Sequence, residues 1–165
     1  MASTVKAKTL RVTIQEDIVL NGTNYGSKTK VNFASINEVY KRIVTCPANV
    51  DTTIFKTAVT ADVSDAGLDL QDVKYIRVTN LDDSNSVNLN LQIDVTESDS
   101  GASTADETVT ILLAAGESFL MGAAHDAVAA YTTDASVQTN LHDLESILVD
   151  PSANAVDMEI FVASA

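Results

Sequence analysis

The chain of 165 residues has one cysteine, no tryptophan and six glycines that stand singly. Because Cys46 has no second cysteine to pair with, an intrachain disulfide is excluded, and we predict that Cys46 is a small buried hydrophobe. Neither a Walker pattern nor Gly-x-Gly-x-x-Gly occurs, which argues against nucleotide binding. Without tryptophan and with only four tyrosines, the chain is a poor candidate for a sugar-binding platform, since such platforms use flat aromatic faces.

Long apolar runs are also missing, and none approaches the ~20 residues that a membrane-spanning helix requires. The first eight residues, Met1 to Lys8, lack the apolar segment of a secretory signal. We therefore expect no membrane partner. We also expect a protein that is made in a cytosol and leaves it only as part of a larger particle.

Positive charge is absent from the second half of the sequence. The last 88 residues, from Val78 onward, contain fifteen acids and no lysine or arginine, whereas the residues up to Arg77 sum to +2. The net charge of −13 argues against nucleic acid as a partner, because affinity for phosphates comes mainly from lysine and arginine. The asymmetry favours contact between the cationic N-terminal part and the anionic C-terminal part of the chain, within one subunit or between neighbouring subunits.

The length and the 45% hydrophobic content predict a single folded domain over residues 1–165. Residues 1–9 are interpreted as either an extended N-terminal arm or the first strand of the chain's own sheet. The alternation of apolar and polar residues is the main structural signal, and it is clearest from Val87 to Val95. It predicts an all-β fold, a β-sandwich or jelly-roll of about nine or ten short, mainly antiparallel strands.

The predicted strands are short and are separated by polar turns. They are Leu10–Ile14, Ile18–Leu20, Lys28–Phe33, Val39–Thr45, Thr52–Val59, Lys74–Thr79, Val87–Val95, Thr108–Leu113, Ser118–Met121, Ser146–Val149 and Val156–Val162. Asn21-Gly22 predicts a tight turn. Chain reversals near Gly116 and Pro151 suggest two further local hairpins.

Other local structure is predicted less directly. The capping-box spacing of Ser35 and Glu38 allows a helical turn over Ser35–Tyr40, although the β-branched residues that follow fit a strand equally well. A second helical turn is allowed over Ala123–Tyr131. The stretch Thr96–Thr108 has no large apolar residue and is expected to be an exposed loop.

No residue pattern points to catalysis, and we expect that the protein is not an enzyme. His125 and His142 are each followed by an aspartate, but neighbours on a strand face opposite ways, so adjacency does not supply the orienting contact of a triad. Ser118 lacks the second glycine of a nucleophile elbow. We predict no catalytic, cofactor or metal site.

The residues present argue against both zinc and calcium. One cysteine and two histidines fall short of a structural zinc site. The acidic turn Asp82-Asp83-Ser84-Asn85 and the pair Glu97 and Asp99 do not fit a calcium loop and are interpreted as solvated turns.

Three segments resemble small all-β virion proteins of tailed bacteriophages, particularly of marine cyanophages. They are Lys74-Tyr75-Ile76-Arg77-Val78-Thr79-Asn80-Leu81-Asp82-Asp83, Ala114-Ala115-Gly116-Glu117-Ser118-Phe119-Leu120 and Val156-Asp157-Met158-Glu159-Ile160-Phe161-Val162. The resemblance implies a virion component that binds and stabilises the outer shell as a capsid decoration (cement) protein, with a tail, neck or fibre component as the alternative. A soluble module binding glycans or other ligands is the rival of another class.

Attachment is then the expected activity, with the major capsid or other virion proteins as partners. The basic residues Lys6, Lys8 and Arg11 are the candidate partner-binding residues, because an extended arm can add a strand to a neighbour. The apolar stretch from Phe119 to Tyr131 could form a subunit contact in a cyclic homo-oligomer, with a trimer as one candidate. Burial of that stretch in the chain's own core is the alternative.

Overall fold

The computed structural model describes residues 6–58, 68–94, 107–130 and 141–165, and among them the only regular element that is not a strand is one 3-10 turn, Leu70–Asp72. The strands are β1 Lys8–Glu16, β2 Val19–Leu20, β3 Thr23–Asn24, β4 Ser27–Ile36, β5 Glu38–Cys46, β6 Thr52–Ala58, β7 Leu68–Asp69, β8 Val73–Asn80, β9 Val87–Asp94, β10 Glu107–Leu113, β11 Ser118–Met121, β12 Asp143–Asp150 and β13 Val156–Ser164. The all-β prediction is confirmed. Within the described ranges no helix has the length and apolarity needed to cross a membrane.

Two packed sheets form the body of the molecule. One has the order β10-β9-β12-β6-β7 and the other the order β11-β8-β13-β5. The chain passes from one sheet to the other between β5 and β6, β7 and β8, β8 and β9, β10 and β11, β11 and β12, and β12 and β13. The strand orders β10-β9-β12-β6 and β11-β8-β13-β5 are those of an eight-stranded jelly roll. β7 extends the larger sheet by a short parallel pairing with β6, whereas the other strand pairings are antiparallel.

The core lies between the inner faces of these sheets. In β9, Val87, Leu89, Leu91 and Ile93 are buried, while the polar residues between them point to the outer face. β13 repeats the pattern with Met158, Ile160 and Val162, all fully buried, and Cys46 is fully buried at the end of β5, as predicted. Burying one such aliphatic side chain stabilises the fold by roughly 1.5–3 kcal/mol, so the alternation predicted from sequence accounts for the sandwich.

A β-ribbon precedes the jelly roll in the chain. β1 pairs with β4 over Lys8 to Glu16, and the short β2 and β3 pair at its tip. Asn21 and Gly22 have φ of 50° and 81°, the two positive angles of a type I′ turn, which confirms the turn predicted there. The described residues contain thirteen strands against the nine or ten predicted, and three of the thirteen, β2, β3 and β7, have only two residues each.

Both predicted hairpins in the second half are wrong. The turn at Gly116 joins β10 of one sheet to β11 of the other, and the turn at Pro151 joins β12 to β13 in the same way. Gly116 does allow the reversal, with φ of 74°. A turn signal predicts that the chain reverses, but the partner of each strand depends on which sheet buries its apolar face.

Neither of the two helical turns that the sequence allowed is formed over the residues described. Ser35 and Ile36 end β4, Glu38 begins β5, and Ser35 has φ of 63°, because the β-branched residues on either side are satisfied in strands. Residues 123–130 form bends and one bridge between Val128 and His142. Of the predicted loop Thr96–Thr108, residues 96–106 lie outside the described ranges, and Glu107 and Thr108 already belong to β10.

Candidate functional site

The ribbon of β1 and β4 has one apolar and one basic face. Cross-strand pairs on the apolar face are Leu10 with Phe33, Val12 with Val31 and Ile14 with Thr29. The pairs on the opposite face are Arg11 with Asn32, Thr13 with Lys30 and Gln15 with Lys28. Because side chains alternate along each strand, an apolar stripe runs from Leu10 to Ile14 with cations behind it, and the polar pair Glu16 and Ser27 follows on the same face.

The base of the ribbon is anchored on the outer face of the β11-β8-β13-β5 sheet. Leu10, Val12 and Phe33 pack against a small cluster that contains Tyr75 and Phe161. The ring centroids of Phe33 and Tyr75 are 5.5 Å apart, and those of Tyr75 and Phe161 are 6.0 Å apart. Burial raises the pKa of the Tyr75 phenol above its ordinary value. This second, smaller core fixes the ribbon to the jelly roll.

Beyond that anchor the apolar stripe is uncovered. Ile14 and Val31 are each 44% exposed, and at the tip Val19 and Tyr25 are 66% and 64% exposed. Ile18 and Leu20 at the tip are exposed as well. Exposed apolar patches mark interaction sites, and the exposed apolar side chains of the ribbon are those of Ile14, Ile18, Val19, Leu20, Tyr25 and Val31.

The predicted partner-binding residues Lys6, Lys8 and Arg11 all lie exposed at or near the ribbon. Lys8 opens β1 opposite Ile36, and Arg11 lies opposite Asn32. Lys6 precedes β1, and β1 itself, which carries Lys8 and Arg11, pairs within its own chain. Residues 1–5 of the predicted arm lie outside the described ranges. Sequence reasoning did not single out Lys28 and Lys30, although the alternation of Lys28-Thr29-Lys30-Val31 was a usable signal for a strand with one basic face.

Charge separates the ribbon from the body. The first 37 residues carry five cations and two acids, a net +3, while the remaining residues carry five cations and 21 acids, a net −16. On the body, Arg77 and Lys41 both bind Glu159, with Lys41 Nζ 3.0 Å from its carboxylate. No described acid lies within ion-pair distance of the five ribbon cations. The ribbon therefore presents uncompensated positive charge.

The two histidines, His125 and His142, have different surroundings. His125 Nδ1 is 2.8 Å from Asp143 Oδ1, and His125 Nε2 is 3.3 Å from Asp126 Oδ2. His142 does not join them through a described hydrogen bond, and its Nδ1 is buried without a partner among the described residues. Ser118 Oγ instead lies 2.8 Å from Thr79 Oγ1 on another sheet edge. The described contacts thus pair His125 with carboxylates and Ser118 with a threonine.

Metal-ligand geometry is found at one place in the described ranges, where ligand atoms of His125, Asp126 and Asp143 lie within 4.8 Å of one another. The cluster is largely exposed, and Asp143 Oδ1 also accepts a hydrogen bond from the Asp126 amide at 2.7 Å. These three residues could hold a divalent cation, but the hydrogen bonds already account for their arrangement.

The acidic turn after β8 is closed by its own hydrogen bonds. Asp82 Oδ1 accepts from the amides of Ser84 and Asn85 at 2.9 and 2.7 Å and from Asn85 Nδ2 at 3.0 Å. The backbone bond from Ser84, followed by that from Asn85, holds the pKa of the Asp82 carboxyl below its usual range. This carboxylate closes a loop, while Glu97 and Asp99 lie outside the described ranges.

Comparison with known proteins adds little. No family model and no curated protein matches the chain. Among solved structures, a protein of Bacillus endospore appendages, which are described as a novel family of disulfide-linked pili, aligns over 100% of this chain and 95% of that chain, with a TM-score of 0.39 and 10% identity. A TM-score at this level does not establish a shared fold.

Proposed function

We propose that the protein is a non-enzymatic structural component of a tailed-phage virion, made in the host cytoplasm, that decorates and stabilises the capsid. The observation that carries this proposal is the anchored ribbon, whose exposed apolar residues, and whose cations without an ion pair to any described acid, form a surface suited to attachment. A long exposed β-ribbon is otherwise a liability, because its free edges invite pairing with other chains.

The resemblance to phage virion proteins supports the same proposal. Its three segments coincide with β8 and the loop after it, with the turn into β11, and with β13. These strands are neighbours in the order β11-β8-β13. The resemblance therefore falls on one continuous part of a sheet, which also carries the anchor of the ribbon.

Charge gives a physical account of the two surfaces in this role. The ribbon, at +3, faces the capsid or another virion protein, while the described part of the body, with 15 acids and five cations, faces solvent. An anionic exterior keeps particles apart, and at high ionic strength the screening length falls to about 3–10 Å, which limits repulsion within each subunit. Attachment through the ribbon combines main-chain pairing at a free edge with apolar contact.

Two measurements test the proposal. Quantitative mass spectrometry of purified particles should find the protein at hundreds of copies. A few copies would favour a tail, neck or fibre location, and absence from the particle would refute a virion role. Attachment of purified protein to undecorated shells should fall for Lys8→Gln with Arg11→Gln, while Lys56→Gln with Lys74→Gln, which removes the same charge from the body, should leave it unchanged.

A further inference from the structure

We infer that Asn21 and Gly22, at the tip of the ribbon, form a site of spontaneous deamidation, which changes the charge and the backbone of the tip as the protein ages. Asparagine is a thermolabile residue. Its side chain breaks down fastest where glycine follows, because glycine has no side chain that would crowd its own nitrogen. Asn21 is the only asparagine in the chain that a glycine follows. The pair that closes the turn is therefore also the asparagine site most open to this reaction.

Both reacting groups at the tip are accessible. Asn21 and Gly22 are exposed, and a Cβ added at Gly22 would meet nothing within 4 Å beyond its chain neighbours. Among the residues that the structure describes, neither the Asn21 side-chain amide nor the Gly22 N–H has a hydrogen-bond partner. By contrast, Asn24 Oδ1 accepts from the Gly26 amide at 2.7 Å, and the buried Asn80 amide is bonded through both its nitrogen and its oxygen. No such bond holds the side chain of Asn21 in place.

The tip can open far enough for the reaction to occur. β2 and β3 pair over only two residue pairs, and all residues of these two short strands are exposed. One further backbone bond, from the Tyr25 amide to the Ile18 carbonyl at 3.0 Å, lies at their base. Short exposed segments of this kind open locally at a small cost in free energy. Opening frees the Gly22 nitrogen to approach Cγ of Asn21 while the rest of the chain stays folded.

The reaction needs only water as a co-reactant. The Gly22 nitrogen loses its proton to base and bonds to Cγ of Asn21, while the C–N bond of the side-chain amide breaks and its nitrogen leaves as ammonia, with a proton from solvent. Water then breaks one of the two C–N bonds of the cyclic imide. Breaking the bond to Cγ gives aspartate. Breaking the bond to the main-chain carbonyl carbon gives isoaspartate, in which the main chain runs through Cβ and Cγ.

The two products have different effects on the tip. Each replaces a neutral amide by a carboxylate, so the net charge of the ribbon falls by one, from +3 to +2. Aspartate is accepted at the first position of a type I′ turn, as asparagine is. Isoaspartate adds one carbon atom to the main chain between β2 and β3, so the two-residue turn cannot close in the same register. We therefore expect isoaspartate, and not aspartate, to separate β2 from β3.

This reactivity is a property of the purified chain and does not depend on a virion role. Its test is peptide mapping by mass spectrometry after the folded full chain has been incubated in mildly alkaline buffer. Residue 21 should gain about 1 Da, and isoaspartate should form together with aspartate. The rate should exceed that at Asn49 by at least about ten-fold. Asn49 is the matched internal control, because it is exposed and has a positive φ of 56° but precedes the β-branched Val50.

Asn21→Asp separates the added charge from the change in the main chain. The nuclear Overhauser contacts between β2 and β3 should persist in this variant and should be lost in the isoaspartate form of the aged wild type. Four results would overturn the inference: a rate at Asn21 no higher than at Asn49, aspartate without isoaspartate, a reaction that occurs only after the chain unfolds, or intact contacts between β2 and β3 in the isoaspartate form.

Discussion

Asn80 is a fully buried amide at the end of β8, and it ties the two sheets together. Its Nδ2 donates to the carbonyls of Asn85 and Leu113 at 2.8 and 3.3 Å, and its Oδ1 accepts from the Asp82 amide at 3.0 Å. Leu113 ends β10 in the opposite sheet. The side chain thus holds the crossing from β8 to β9 against the end of β10.

Asn80→Asp keeps the shape of the side chain and removes both donors. Two lost hydrogen bonds cost about 1 kcal/mol each, and leaving two carbonyls facing a carboxylate oxygen adds a desolvation penalty, for a total of roughly 4 kcal/mol. For a chain of this length one kcal/mol lowers the melting temperature by about 2–4 °C. We therefore expect a fall of roughly 10 °C near neutral pH.

The pH dependence follows from the same contacts. Burial beside carbonyl oxygens disfavours the charged form, so the introduced carboxyl has a pKa in the folded state above its unfolded value of about 3.9. The loss of stability is therefore smallest below about pH 4 and grows as the pH rises through the unfolded pKa, until it levels off above the folded pKa. The variant should lie closest to wild type in acid.

Thermal unfolding followed by circular dichroism at about pH 4 and 7 measures both effects against wild type. Asn88→Asp, on the half-exposed outer face of β9, is the matched control, because it makes the same chemical change away from the core. Equal melting temperatures for the two variants, or a deficit of Asn80→Asp that is the same at both pH values, would refute the role given to the donors.

Three other predictions concern the core, the ribbon and the thiol. Ile160→Ala, at a fully buried site, should cost about 3 kcal/mol in the free energy of unfolding by chemical denaturation, against less than ~0.5 kcal/mol for Leu112→Ala on the exposed face. Phe33→Ala should speed amide hydrogen exchange in β1 and β4 but not in β9, because the anchor is a separate cluster; equal acceleration in both would contradict this. Cys46, whose pKa is raised chiefly by burial, should react with thiol reagents only on unfolding, and stability should fall as the pH rises through the unfolded thiol pKa of about 8.5.

Prediction from the sequence succeeded for strands that have one buried face and one face toward solvent. Val87 to Asp94 alternates without exception, and the structure buries every second residue of β9. The same holds for β13, although its strand continues past the predicted end to Ser164. The periodicity of two specifies which residues face the core, and that was sufficient to predict a two-layer β fold.

Which strands pair with each other could not be predicted from this periodicity. The turns at Gly116 and Pro151 were predicted to form hairpins because turn residues indicate only that the chain reverses. In the structure, the strand after each turn belongs to the other sheet. The contact between His125 and Asp143 was missed for the same reason, since it joins two segments that are brought together by the bridge of Val128 with His142 and by a hydrogen bond from the Leu144 amide to the Ala124 carbonyl. Such contacts are set by the packing of the whole sandwich.

The residues of the candidate site could be predicted from the sequence, but their arrangement could not. Cations near the N-terminus were visible in sequence, and so were apolar alternations at Leu10 to Ile14 and around Val31. Their combination into one amphipathic ribbon required the pairing of β1 with β4 in a specific register. A shift of one residue in that register would move Ile14 and Val31 to opposite faces and divide the stripe, so the surface exists only at the level of the paired strands.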